Sequence, residues 1–167
     1  MKKCLTIAFM IIYTISYSFN SVNKDTIAKV IRVIDGNTIE IFTEDGEVLQ
    51  VLFKDVDSPE LGQEFGNKAK EFTENLLLNK KVIVEMKGKD MWGNRLVGVT
   101  LKNGKSAEVE LLAAGLAWHN KIKSESIEFS EIEIKSKKNK LGLWVNDNPV
   151  EPWVFRRQQT MTVAKSR

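Results

Sequence analysis

The chain has 167 residues, a formal net charge of +3 and a hydrophobic fraction of 43%. This length allows one domain with a hydrophobic core, and the near balance of charge excludes the strongly basic composition that is often a sign of nucleic-acid binding. The charge is unevenly distributed: residues 40–75 contain ten acidic residues and three lysines, whereas residues 135–167 contain eight basic residues and two acidic ones. This distribution is compatible with a cation bound at one place and a phosphate at another.

Residues 1–18 are predicted to be a secretory signal peptide. Lys2 and Lys3 precede an uncharged apolar stretch, residues 5–17, which is too short to span a bilayer because a span takes about 20 apolar residues. An uncleaved membrane anchor is the alternative. Cleavage removes Cys4, the only cysteine, so burial rather than a disulfide must hold the exported fold. We therefore expect a secreted, periplasmic or cell-envelope protein whose membrane contact is transient and confined to the signal peptide.

Three strands joined by short turns are predicted after a linker at residues 19–27. The first strand, residues 26–34, is rich in β-branched side chains and ends at an Asp-Gly-Asn turn. Residues 38–43 resume the alternation, and Asp45-Gly46 is a hairpin signal that leads into residues 47–53. These segments predict a β-meander.

Helices and two further strands are predicted in the rest of the chain. Apolar residues recur with helical spacing over residues 65–76, and residues 82–84 and 96–101 have the composition of strands. A short helix is predicted over residues 106–114. Residues 122–140 lack a clean apolar stripe, but their length and their many Glu and Lys residues favour a helix.

Together these elements predict an α+β fold. Five short antiparallel strands with about three interspersed α-helices indicate a small, partly open Greek-key β-barrel of the OB type. We expect this domain to cover residues 28–157 and a basic tail to follow at residues 158–167. Barrels of this kind commonly bind oligonucleotides or oligosaccharides on one face.

Two acidic clusters about twenty residues apart carry the candidate chemistry. Asp35 and Asn37 follow the first predicted strand, and Asp57, Ser58 and Glu60 follow the third. If the strands bring them together, their oxygens suit a hard cation such as Ca²⁺, and a carboxylate beside that ion is a candidate general base for hydrolysing a phosphodiester. Each cluster taken alone is also a plain turn that ends a strand.

The chain resembles the staphylococcal nuclease (thermonuclease-like) family from about residue 28 to residue 157. The segments that carry the resemblance, in chain order, are Val33-Ile34-Asp35-Gly36-Asn37-Thr38-Ile39, Val56-Asp57-Ser58-Pro59-Glu60, Asp90-Met91-Trp92-Gly93-Asn94, Gly115-Leu116-Ala117-Trp118-His119, Gly142-Leu143-Trp144 and Glu151-Pro152-Trp153-Val154-Phe155-Arg156-Arg157. The resemblance implies an OB-like five-stranded barrel with three helices, and Ca²⁺-dependent hydrolysis of DNA and RNA.

The resemblance also implies roles for the acidic clusters. The ion is held by residues that match Asn37 and Asp57 and by the carbonyl at Ser58, with Asp35 close by. The residue that matches Glu60 activates the attacking water. The predicted metal-binding set is therefore Asp35, Asn37, Asp57, Ser58 and Glu60, and Glu60 is the predicted catalytic base.

Four positions depart from the family pattern. Asn37 replaces an aspartate, Leu52 and Asn94 replace the two phosphate-binding arginines, and Trp92 replaces a tyrosine. Removing one negative ligand weakens a Ca²⁺ site, and losing one preorganised donor typically costs roughly 2.7–4 kcal/mol, or about 10²–10³ in rate. We therefore expect an endonuclease-like protein, related to phosphodiester hydrolases, that is weak or inactive in catalysis but still binds nucleic acid.

Two basic residues are candidate substitutes for the missing arginines. Lys54 lies on the same face of its strand as Leu52, and Arg95 is shifted by one place from Asn94. An active Ca²⁺-dependent endonuclease that uses Lys54 and Arg95 as catalytic residues is therefore an alternative. A third reading is an envelope interaction module that retains only the barrel scaffold, because fold does not determine function.

The candidate nucleic-acid-binding residues are Lys54, Trp92, Arg95 and His119. Trp92 could stack on a base, an interaction worth about 1–3 kcal/mol, although packing on the barrel rim is an equal alternative. His119 is the only histidine, and a lone histidine often serves only a local hydrogen bond. The expected partner is single-stranded DNA or RNA, bound by a monomer.

Overall fold

The computed structural model describes residues 25–165, so the predicted signal peptide and most of the predicted linker lie outside the described residues. The strands in chain order are β1 (Thr26–Val33), β2 (Thr38–Thr43), β3 (Val48–Phe53), β4 (Val56–Asp57), β5 (Lys81–Lys89), β6 (Arg95–Leu101) and β7 (Trp118–His119). Five of them form a closed barrel in the order β1-β2-β3-β6-β5, and β4 pairs with β7 in a separate two-stranded sheet. The predicted OB-like α+β fold is confirmed.

The barrel differs from the expectation in two respects. It is closed rather than partly open, and β3 pairs with β6 in parallel, whereas the other barrel pairs are antiparallel. Strand composition alone indicates neither closure nor the direction of pairing between β3 and β6, because α1 and β5 separate these two strands in the chain.

Alternating apolar side chains fill the barrel. In β1, Ala28 and Val30 point inward, and an irregularity in the pairing with β2 between Val30 and Arg32 shifts the alternation so that Val33 is also buried. A bulge of this kind places two residues of one strand opposite one residue of its neighbour. The other strands contribute Ile39, Ile41, Val51, Phe53, Val82, Val84, Val97 and Val99.

Four α-helices surround the barrel: α1 (Gly66–Leu77), α2 (Ala107–Ala113), α3 (Ile127–Lys138) and α4 (Pro152–Lys165). The first three match the predicted helices. Ser106 and Ser126 cap α2 and α3, because their side chains accept the N–H groups of Val109 and Phe129 at 3.3 and 3.2 Å. A short 3₁₀ helix, Gly142–Val145, follows α3. Among residues 25–165 no helix is long and apolar enough to cross a membrane.

The fourth helix was not predicted. It runs through the boundary expected at residue 157, where a basic tail was placed. Its sequence lacks the apolar stripe by which helices are recognised, but Pro152 at its first position is a helix-start signal. The carbonyl of Glu151 accepts the N–H groups of Val154 and Phe155 at 3.0 Å, which closes the first turn.

An aromatic cluster anchors α4. The rings of Trp153 and Trp118 pack edge to face with their centroids 6.0 Å apart. The rings of Trp118 and Trp144 pack in the same way with their centroids 4.4 Å apart. The ammonium of Lys137 lies 4.3 Å from the centre of the Trp144 ring. These tryptophans therefore fix the C-terminal helix against the rest of the domain.

A buried carboxyl group connects α2 to the barrel. Glu108 is 3% exposed, and its carboxyl oxygens accept the backbone N–H of Val99 and the hydroxyl of Ser106. Burial raises the pKa of Glu108 to about 7, and the hydrogen bonds oppose that shift only in part. This group therefore titrates near neutral pH, although it lies within the core rather than in the cleft described below.

Candidate active site

A cleft of about 700 Å³ lies between the barrel, the β5–β6 loop and α4. Its floor includes one rung of the sheet, Thr38, Leu52 and Leu96, which are paired across β2, β3 and β6. These side chains point out of the barrel because their strand neighbours point into the core. The rung is apolar at Leu52 and Leu96, so this part of the floor offers no donor to a phosphate.

The two acidic clusters lie together at one wall of the cleft. The side-chain oxygen of Asn37 accepts the backbone N–H of Ser58 at 3.0 Å, and the carboxylate of Asp35 accepts the N–H of Asn37 at the same distance. Gly36 permits this approach, because a Cβ there would lie 2.5 Å from the Cβ of Ser58. Asp35, Asn37, Asp57 and Glu60 all line the cleft.

The environment of Asp35 differs from that of the other acidic residues. Burial raises its pKa above the ordinary value, and hydrogen bonds from Asn37 and Thr38 oppose the rise only in part. Asp35 therefore keeps its proton to higher pH than a free aspartate, which makes it a poorer ligand for a cation at mildly acidic pH.

Arg156 of α4 occupies the space in front of the acidic wall. Its two Nη atoms donate to the two carboxylate oxygens of Asp57, at 3.1 and 2.7 Å, and Nη1 also donates to Glu60. The hydrogen bonds that Arg156 donates to these carboxylates raise its pKa above the already high ordinary value, so the group stays charged. The geometry of the pair with Asp57 is favourable, because two parallel N–H groups of the planar guanidinium match the two oxygens of a carboxylate.

The acidic wall has the right atoms for Ca²⁺, but its arrangement does not fit a resident ion. Both oxygens of Asp57 are bonded to Arg156, and the amide oxygen of Asn37 is bonded to Ser58. Within residues 25–165, no group of three or more Asp, Glu, His or Cys side chains is arranged to hold a metal. An ion at Asp57 would have to displace Arg156, and the five-residue metal set stays a prediction.

The β5–β6 loop forms the opposite rim. Asp90 accepts the backbone N–H groups of Trp92 and Asn94 and the side-chain amide of Asn94, all within 3.0 Å. Desolvation raises the pKa of Asp90, but the hydrogen bonds from Asn94 and Trp92 outweigh this effect, so the pKa is lower than the ordinary value. Trp92 is 76% exposed and lines the cleft, so its ring is accessible to a planar ligand.

The two basic residues predicted as substitutes for the missing arginines lie elsewhere among the described residues. The residues that line the cleft do not include Lys54 or Arg95. The Nζ atom of Lys54 lies 3.9 Å from a carboxylate oxygen of Asp55. Arg95 directly precedes Leu96 in β6, so the side chains of these two residues lie on opposite faces of the strand. Among the described residues, neither side chain therefore lines the cleft that Glu60 lines.

His119 has a structural environment. It is 3% exposed in β7, its backbone N–H donates to buried Glu133, and its ring Nδ1 lies 3.0 Å from the hydroxyl of Ser130. Burial lowers the pKa of His119, which keeps its ring neutral. His119 is not among the described residues that line the cleft, so the nucleic-acid contact predicted for it lacks geometric support.

The functional residues that sequence reasoning missed are on α4. Trp153, Arg156, Arg157 and Thr160 all line the cleft, and their spacing is that of one helical face. The available signals are Pro152 as a helix start and two adjacent arginines, in a segment that was predicted to end the domain but was given no role in the site. The contact with Asp57 spans 99 residues, so no local pattern indicates it.

The closed barrel, its helices and the acidic cleft define an OB-like α+β protein with the features of a nucleic-acid enzyme. A family model described as staphylococcal nuclease homologue matches residues 50–146. An uncharacterized endonuclease of Haemophilus influenzae is 29% identical over 163 residues, which cover 98% of this chain and 90% of that protein. A micrococcal nuclease of Shigella flexneri is 31% identical over 140 residues, which cover 77% of this chain and 79% of that protein.

The chain therefore belongs to the staphylococcal nuclease family. Similarity extends to plants: staphylococcal-like nuclease CAN1 of Arabidopsis thaliana is 27% identical over 140 residues, although these are only 42% of the plant protein. Family membership supports a nuclease function and therefore binding of nucleic acid, and the family generally uses Ca²⁺.

Proposed function

We propose that the protein is an exported phosphodiesterase that binds single-stranded DNA or RNA as a monomer and cleaves it slowly. The observation that carries the proposal is the convergence of Glu60, Trp92 and Arg156 on one cleft. These three groups provide a carboxylate base, a surface for a base to stack on and a cation for phosphate.

Glu60 supplies the general base in this proposal. Its carboxylate is partly exposed at the cleft and takes a proton from the attacking water. The water oxygen bonds to phosphorus, the bond to the leaving sugar oxygen breaks, and that oxygen takes a proton from solvent. Positioning and charge stabilisation supply most of the rate in phosphoryl chemistry, so the losses at Leu52 and Asn94 make the reaction slow.

The preference for single strands rests on Trp92. Its ring is largely exposed at the rim, and an unpaired base can lie flat on an aromatic ring for about 1–3 kcal/mol. Bases within a duplex are already stacked on one another and cannot reach it. This argues for substrates with unpaired bases.

The dependence on Ca²⁺ is proposed to be weak. Ca²⁺ affinity follows the number of charged ligands, and this site has Asn37 where the family has an aspartate. The ion also competes with Arg156 for the oxygens of Asp57. Export is proposed from the predicted signal peptide, and a cleaved amino terminus on protein recovered outside the cytoplasm would test it.

A nuclease assay tests the proposed function. The purified protein is incubated with denatured DNA, duplex DNA and RNA, with added Ca²⁺ or with a chelator. We expect slow degradation of the single-stranded substrates that Glu60→Gln abolishes. Binding with a steep salt dependence but no cleavage would leave a nucleic-acid-binding protein. Absence of both would favour the envelope interaction module.

A further inference from the structure

We propose that Arg156, at the cleft-facing side of α4, is the phosphate-binding residue of this nuclease and replaces the arginines that the barrel lacks. The inference rests on the proposed function and assigns one of its groups. Leu52 and Asn94 line the cleft, but the first is apolar and the amide of the second is bonded to Asp90 at 2.9 Å. The two arginines that line this cleft, Arg156 and Arg157, come from the C-terminal helix instead, and Arg156 is the one that contacts the acidic wall.

The hydrogen bonds of Arg156 leave part of its guanidinium available. The group has five N–H donors, and three of them are used, two on Asp57 and one on Glu60. The remaining donors are the Nε–H and the second Nη2–H, which lie on one edge of the planar group. Among the described residues neither donor has a hydrogen-bond acceptor, and the side chain is 49% exposed. This edge is the fork that binds two oxygens of a phosphate.

Arg156 can therefore bind phosphate without leaving Asp57. The carboxylates of Asp57 and Glu60 hold the guanidinium plane on one side, and its second edge presents two parallel donors. Such preorganisation matters because a donor that is already in place costs no reorganisation when charge develops on the phosphate oxygens.

The position of α4 depends on the small β4–β7 sheet. Asp57 in β4 is paired with Trp118 in β7, and these two neighbours contact Arg156 and Trp153, respectively. The two contacts are three residues apart on α4 and therefore on one face. The same sheet thus fixes the helix at an aromatic contact and at an ion pair, which defines where the guanidinium lies.

The alternative role for Arg156 is that of a plug, which only pairs with Asp57 and Glu60 and blocks access to them. The two roles predict opposite effects of removing the charge. A plug that is removed leaves Glu60 free, so cleavage speeds up. A phosphate ligand that is removed slows cleavage and weakens the salt-dependent part of binding.

The test uses a fluorescently labelled oligodeoxythymidylate, with cleavage rates and binding anisotropy measured over a range of salt concentrations. For Arg156→Gln we expect kcat to fall about 10²–10³-fold and the salt slope of binding to decrease by about 0.7, the value for one phosphate contact on a single strand. Arg32→Gln is the matched control, because Arg32 also forms a two-point pair with a carboxylate, that of Glu40, but outside the cleft. It should behave as wild type.

Arg156→Lys guards against a folding artefact. The lysine keeps a positive charge beside Asp57 but lacks the second pair of parallel N–H donors that the guanidinium has. We therefore expect a native near-UV circular dichroism spectrum together with a kcat at least about tenfold below wild type. Wild-type or faster cleavage by either variant overturns the inference and leaves the proposed function standing. A wild-type protein that neither binds nor cleaves the oligonucleotide overturns the proposed function, and the inference with it.

Discussion

The barrel wall and the C-terminal helix contribute opposite charges to the same cleft. The wall carries Asp35, Asp57 and Glu60 in β4 and in the turns beside the strands. Helix α4 carries two arginines, and a tryptophan anchors this helix. In this chain the anionic half of the site remains where the family motifs lie, and the cationic half has moved to the helix. The comparison indicates that one half of a site can change its position in the fold while the other half is retained.

The largest expected effect concerns the barrel half. Glu60→Gln should lower kcat by about 10²–10⁴, the usual contribution of a general base, and should leave oligonucleotide binding within a few-fold of wild type. Single-turnover cleavage and binding anisotropy measure the two quantities separately. Glu44→Gln, in the exposed β2–β3 turn, is the control. Retention of activity by Glu60→Gln would place the base elsewhere.

The next effect separates the stability of the barrel from the chemistry of the cleft. Glu108 has a folded-state pKa of about 7 against an ordinary value of 4.5, so the folded state binds the extra proton between these pH values. Its stabilising contribution is therefore complete below about pH 4.5 and is lost as pH rises through 7. We expect the free energy of unfolding of wild type to fall by about 2–3 kcal/mol relative to Glu108→Gln over this interval.

Urea titrations of both proteins at pH 5 and pH 8 measure that difference. Using the difference between wild type and Glu108→Gln removes the contributions of other titrating groups. An equal difference at the two pH values would contradict the assignment of the raised pKa to Glu108.

The rim of the cleft should affect binding more than catalysis. Trp92→Ala removes the exposed ring and should weaken single-stranded oligonucleotide binding by about 1–3 kcal/mol, with little change in duplex binding. Met91→Ala, at the adjacent exposed position of the same loop, is the control. Equal losses on single-stranded and duplex DNA would indicate that Trp92 shapes the loop rather than stacks on a base.

The smallest expected effect tests the competition between the two halves directly. Removing the guanidinium in Arg156→Gln frees both oxygens of Asp57, so Ca²⁺ should bind about tenfold more tightly than to wild type because ligand charge is no longer neutralised. Isothermal titration calorimetry without substrate measures this. An unchanged affinity would mean that the ion does not use Asp57.

Much of the barrel could be predicted from local sequence. β-branched composition, alternation and turn signals predicted β1 to β3 as strands of a meander, and the Asp-Gly-Asn turn and the Asp-Ser-Pro-Glu turn indicated the acidic wall. These features are local, because each depends on the conformational preferences and spacing of a few consecutive residues. The parallel pairing of β3 with β6 was missed, since it joins strands that are far apart in the chain.

The cationic half of the site could not be predicted in the same way. Lys54 and Arg95 were the expected substitutes because they are next to the missing arginines in sequence, but neither lines the cleft in the described part of the chain. Successive side chains of a strand point to opposite faces, so Arg95 lies on the opposite face of β6 from Leu96, which lines the cleft. Arg156 was placed at the end of the domain without a role in the site, because its partner Asp57 is 99 residues away.

The sequence by itself determined the barrel, the family resemblance and the acidic residues, because turns and alternating strands are encoded over short distances. Only the tertiary structure decided which cation faces those acids. Packing of Trp153 against Trp118 places α4 across the cleft, and this contact between distant segments brings Arg156 to Asp57.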